Sequence, residues 1–204
     1  MKILRKINKG LLLTLLVVLI LLIYIFRLEQ TRKLQKNEIL NVCKNYIEML
    51  NNYTKLPNEY QNPNNLISET DLNNYIKSAE TDMQKYMISN DSSIQTQLTL
   101  LKEGLSKNNT SSSTIIKYNY EIVKPKNYEF DRNQVTINLL CNVQIETKNE
   151  FDQINSSTLP QQTFQIIVNK ENNTWKIVYS DLLLPFSYYS ADPYAPTADY
   201  TYLN

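Results

Sequence analysis

Hydrophobic positions along this chain follow three patterns in succession. Leu11 to Phe26 (LLLTLLVVLILLIYIF) is an unbroken apolar run between Lys9 and Arg27. From Ile39 the apolar residues recur as Ile39, Val42/Cys43, Tyr46, Met49/Leu50 and Tyr53, the spacing of one buried helix face. Residues 54–69, with Pro57, Pro63 and many Asn, read as a loop. A second helix follows, capped by Thr70 or Asp71 and striped by Leu72, Tyr75/Ile76, Ala79, Met83 and Tyr86/Met87. A third carries Ile94, Leu98, Leu101 and Leu105 and is expected to stop near Gly104 and Asn108/Asn109.

From Thr114 the period falls to two. Ile116, Tyr118, Tyr120 and Ile122 alternate with polar residues, and Lys124-Pro125-Lys126-Asn127 is expected to break that strand. Val135, Ile137, Leu139, Cys141, Val143 and Ile145 form a second strand. Asn149–Pro160 reads as a polar loop, and Phe164, Ile166 and Val168 as a third strand. Glu171-Asn172-Asn173 turns the chain into a fourth, with Trp175, Ile177 and Tyr179. Clean alternation predicts an antiparallel sheet with one buried face, and so an α+β fold. Residues 185–204, rich in Tyr and Pro without period, read as a flexible tail.

The apolar run approaches the length that a membrane helix needs, about 17 residues or more, and flanking Lys9 and Arg27 extend its reach. It lacks the small-residue cleavage site of a signal peptide, since it ends in Tyr24-Ile25-Phe26-Arg27. The expectation is an uncleaved signal anchor. Lys2, Arg5, Lys6 and Lys9 favour a cytoplasmic N-terminus by the positive-inside rule. The organisation expected is a cytoplasmic tail at 1–9, a transmembrane anchor at 10–27, a helical stalk at 28–38, an extracytoplasmic domain at 39–184 and the tail at 185–204.

Composition then narrows the chemistry. The 204 residues contain no His, two Gly and two Cys. Without imidazole the chain has no histidine base or histidine metal ligand, and two glycines cannot write a phosphate loop. No cofactor and no metal is expected. The net charge of +1 conceals an asymmetry, because residues 1–36 hold eight Lys/Arg and one acid, whereas the remainder is net −6. An acidic domain lacks the basic stripe that nucleic acid requires. Cys43 and Cys141 leave two states open, a helix-to-strand disulfide or two buried thiols. The 26 Asn and 15 Tyr, with abundant Ile and Lys, point to AT-rich codons and a bacterial source.

Three helices before a long four-stranded antiparallel sheet, ending in Asn172-Asn173-Thr174-Trp175-Lys176-Ile177-Val178-Tyr179, resemble the NTF2-like cone over residues 38–184. With its membrane anchor the whole chain resembles VirB8/TcpC-like components of conjugative transfer (type IV secretion) machines. That resemblance implies a non-catalytic scaffold in the bacterial plasma membrane, whose partners are the bilayer through 10–27, other envelope or channel proteins, and itself. Such cones often enclose a pocket, for which Tyr46, Tyr53, Tyr118, Tyr120, Trp175 and Tyr179 are the candidate lining. Enzymes resembling ketosteroid isomerase use an Asp base and a Tyr donor on this fold. Asp181 with Tyr118 or Tyr120 would be the counterparts, but a fold alone does not license catalysis, and the expectation is no enzyme. Two other readings compete. Lys9-Gly10 before an apolar run resembles the cleavage site of a minor pilin or pseudopilin, although Leu15 stands where those proteins carry Glu. A tethered binder of a small apolar ligand is the third.

Overall fold

The computed structural model describes residues 9–60, 67–88, 92–108, 113–149 and 151–187. It confirms the α+β class, with the order of three helices before a curved four-stranded antiparallel sheet. The chain divides into two compact units, Met1–Ile39 and Leu40–Asn204.

The first unit contains the apolar stretch, which lies in helix α1 (Lys9–Asn51). Its large apolar side chains from Leu11 to Phe26 are 48–66% exposed. This is the one helix among the described residues long and apolar enough to cross a membrane. This is compatible with a single-pass anchor, since no described residue covers these side chains.

In the second unit, α1 ends in the buried face Cys43, Tyr46, Ile47 and Leu50. Helix α2 (Glu69–Tyr86) starts two or three residues earlier than expected. Ser68 is its cap. The Ser68 Oγ accepts from the Asp71 amide at 3.1 Å and donates to Asp71 Oδ2 at 2.5 Å. The Ser68 hydroxyl thus satisfies one open amide of the first turn and is itself held by the Asp71 carboxylate. Helix α3 (Ser92–Asn108) runs through Gly104 and ends at Asn108, where the stop was expected. That glycine permits contact instead of ending the helix. A Cβ at 104 would stand 1.9 Å from the Phe186 carbonyl oxygen.

The strands are β1 (Ser113–Asp131), β2 (Gln134–Asn149), β3 (Ile154–Glu171) and β4 (Thr174–Ser180), paired in the order β1-β2-β3-β4, all antiparallel. Two corrections lengthen the sheet. Pro125 does not end β1, which continues to Asp131 with register shifts on either side of it. β1 is an edge strand, where a proline's missing donor is tolerated. Residues 154–160 are not loop but the first half of β3, held on β2 from Lys148↔Ile154 to Val143↔Leu159. The hairpin between β3 and β4 is the expected one. Asn172 and Asn173 have φ of 47° and 64°, the left-handed pair that a two-residue turn needs.

The core lies on one face of the sheet. Val135, Ile137, Leu139, Cys141 and Val143 of β2 meet Phe164, Ile166 and Val168 of β3 and Trp175 and Ile177 of β4, all buried. Packed residues extend through Leu182, Leu184, Phe186 and Ser187, three positions past the expected end at 184. The rest of the expected tail, 188–204, lies outside the described residues, as do the tail at 1–8 and the loop positions 61–66.

Candidate functional site

Five of the six aromatics expected to line a pocket are buried, and each polar tip has a partner or a place on the core face. Tyr46, on α1, is fully buried; its hydroxyl donates to the Leu182 carbonyl at 3.4 Å and accepts from Gln97 Nε2 at the same distance. Tyr120 donates to the Leu183 carbonyl at 2.9 Å and packs edge-to-face on Tyr118 and Phe164. Tyr53 donates to Asp82 Oδ2 at 2.7 Å and stands edge-to-face with Tyr75. Trp175 is buried on β4, with the Lys170 ammonium 5.5 Å from its ring centre. Tyr179 differs. It is 44% exposed, because the register shift between Ile167 and Val168 moves β4 out of step. Ile177 and Ser180 face inward there, and Tyr179 faces outward.

Burial sets the ionisation of this cluster. It pushes Tyr46 and Tyr53 up to about 12 and raises Tyr75 as well, because a phenolate would lose its hydration. These tyrosines are neutral hydrogen-bond donors at physiological pH. Cys43 and Cys141 are free and buried. Burial lifts each thiol to about 12, and for Cys43 the neighbouring Cys141 adds to the effect. Both therefore carry their protons at neutral pH and lack thiolate reactivity.

Asp181 is engaged with backbone. Its Oδ2 accepts from the Gln165 amide at 3.0 Å, its own amide donates to the Gln165 carbonyl at 3.0 Å, and Tyr179 donates to its Oδ1. The hydrogen bond to Asp181 is the main reason that Tyr179 is pushed up to about 12. Asp181 thereby stitches the end of β4 to β3, while the Tyr120 hydroxyl is engaged separately at Leu183.

A cavity of about 210 Å³ lies elsewhere, lined by Leu56, Pro57, Tyr60, Ile67, Asp71, Leu72, Tyr75 and Leu105. None of the six expected aromatics is in this lining. Tyr60 donates to Asp71 Oδ2 at 2.7 Å, and the hydrogen bonds from Ser68 first and Tyr60 second hold the carboxylate below its ordinary range. The site is apolar with one acidic rim group. The α2 stripe in the sequence already contained Leu72 and Tyr75, but Tyr60 sits in the Pro/Asn-rich loop, where no periodicity marks a lining residue.

No family model matches the chain, and no curated protein does. Among solved structures, the chain is similar to the intermembrane space region of the chloroplast protein ARC6. The identity is 10%, the match covers 71% of this chain and 92% of that one, and the TM-score is 0.39.

Two surface features remain. No group of three or more His, Cys, Asp or Glu able to hold a metal occurs among the described residues. At the far end of the β2–β3 hairpin, Phe151 is 74% exposed and Ile154 58%, beside the wholly exposed half of β3 from Ile154 to Gln161.

Proposed function

We propose that this chain is a membrane-anchored, non-catalytic assembly component of a bacterial cell-envelope machine, with a VirB8/TcpC-like transfer channel as the best fit. The observation that carries the reading is the Leu11–Phe26 stretch, whose apolar side chains stand uncovered in a chain that also builds a packed α+β domain. Four Lys/Arg before the stretch favour a cytoplasmic N-terminus and an extracytoplasmic domain, by the positive-inside rule. The three helices followed by a bulged antiparallel sheet support an NTF2-like cone. Anchoring then acts by confinement, because it raises the effective concentration of the domain for partners in the same membrane.

Cross-linking in the native membrane, with identification of what co-purifies, tests this. Recovery of transfer-channel subunits is the expected result. Recovery of pilus subunits, with a mature chain starting at Leu11, would overturn it in favour of the pilin reading. One observation favours a second reading, a tethered binder of a small apolar ligand: the cavity between Leu56 and Leu105. A co-purifying apolar metabolite lost on Leu72→Trp would support that reading.

A further inference from the structure

We propose that the edge of β3 between Ile154 and Pro160, which no other described strand covers, is a pairing edge for a second copy of this chain, joined about a two-fold axis at Ser156. The inference rests on the membrane-anchored scaffold reading and names the partner of one surface in it.

Which backbone groups face outward follows from the register. The Asn149 amide donates to the Gln153 carbonyl at 3.0 Å, so 149 and 153 are a hydrogen-bonded pair. The pairing continues without a shift from Lys148↔Ile154 to Val143↔Leu159. Hydrogen-bonded pairs alternate along an antiparallel ladder, so Asn155, Ser157 and Leu159 turn their amides and carbonyls toward β2. Ile154, Ser156 and Thr158 turn theirs away, while the Pro160 carbonyl accepts from Gln162 Nε2 at 3.0 Å. Pro160 provides an internal check, since its missing N–H falls on the open side, where edge prolines belong. β4 pairs only with residues 166–171, so it does not cover this half of β3.

An open row of donors and acceptors is a template for another strand. The choice of a second copy comes from symmetry and charge. A two-fold axis normal to the sheet keeps each side chain on its own face, so it pairs residues of equal parity. Centred on Ser156, it sets Ser156 against Ser156 and Ile154 against Thr158, and those are the residues with outward groups. Self-pairing brings every side chain near a copy of itself or of a close neighbour, so a charge there would meet its own sign. Residues 154–161 (INSSTLPQ) carry no charge, whereas β1, β2, β4 and the rest of β3 all contain Lys, Glu or Asp. Asp152, which the pairing brings alongside Pro160 of the second copy, is already matched by Lys148 at 2.7 Å. The same register carries the exposed Phe151 toward Leu159, Pro160 and Gln161 of the second copy, which offers it apolar cover.

The test uses the full chain in native membranes. A Ser156→Cys variant places two sulfurs across the axis, with a Cα separation of about 5.5 Å in a hydrogen-bonded pair, inside the disulfide range of about 4.4–6.8 Å. Mild oxidation is expected to convert it to a covalent dimer, while Lys170→Cys, exposed on the same strand, stays monomeric. Ser156→Lys sets two ammonium groups together, and Thr158→Pro removes one outward donor without touching the β2 ladder. Each is expected to abolish the dimer in native-gel and in-membrane cross-linking assays, with near-unchanged circular dichroism. A Ser156→Cys chain that cross-links no better than Lys170→Cys, or that links to a different protein, overturns the proposal while leaving the anchored scaffold standing. Extraction of the wild-type chain by alkaline carbonate instead brings down the scaffold reading itself.

Discussion

Asn51 does for β1 what a neighbouring strand would do. Its Nδ2 donates to the Tyr120 carbonyl at 2.7 Å and its Oδ1 accepts from the Tyr120 amide at 2.9 Å. Asn51→Leu keeps the volume but strands both backbone groups, and is expected to lower stability by about 1–3 kcal/mol in urea unfolding. Gly104→Ala acts through sterics, since the new Cβ meets backbone at Phe186 that cannot swing aside. A loss of roughly 1–3 kcal/mol is expected, with a matching drop in Tm. The buried tyrosines give a pH signature. Tyr46 ionises near 10 when unfolded and at about 12 when folded, so the folded state holds its proton more tightly. Its contribution is therefore complete below pH 10 and lost as pH rises from 10 through 12, and the two thiols, starting from 9.0, fall in the same direction. Urea midpoints should hold level to about pH 9 and then fall. Tyr46→Phe should flatten part of that fall, and an unaltered slope would contradict the assignment.

At the scale of elements, turns and caps carry the sequence information. The Asn172-Asn173 hairpin was legible because two consecutive positive φ values suit Asn, and the flanking residues alternate. Asn173→Gly should be neutral or slightly stabilising there, whereas Asn173→Val should destabilise by about 1–2 kcal/mol, both read from thermal midpoints. Ser68 was missed as the α2 cap because Thr70 and Asp71 offer the same chemistry two and three residues later. Only the closed pair between Ser68 and Asp71 distinguishes them. The first half of β3 was missed for a different reason. Asn-Ser-Ser-Thr has no apolar period, and it is a strand because β2 offers a ladder, with Asn149 closing the turn by accepting from the amides of Phe151 and Gln153.

At the scale of the whole molecule, the apolar stretch is the part compatible with a membrane anchor. Leu19→Arg puts a charge at its middle, a penalty of about 2.5–3.5 kcal/mol for insertion. The expected outcome is a chain shifted from the membrane pellet to the soluble fraction, as seen by carbonate extraction and immunoblot. The cavity bounded by Leu56, Asp71 and Leu105 also exists only at this scale, because its walls come from segments almost fifty residues apart in sequence.

By itself the sequence determined the apolar segment, the helix-then-sheet order, the α+β class and most of the core, because burial imposes a period that survives in one dimension. Leu139, Cys141 and Val143 had to face inward wherever their partners came from. Tertiary structure alone decided which way Tyr179 points, how far β1 runs past Pro125, and why Gly104 has no side chain. Each of these depends on a register shift or a close backbone approach between distant segments, and neither leaves a local pattern of residues.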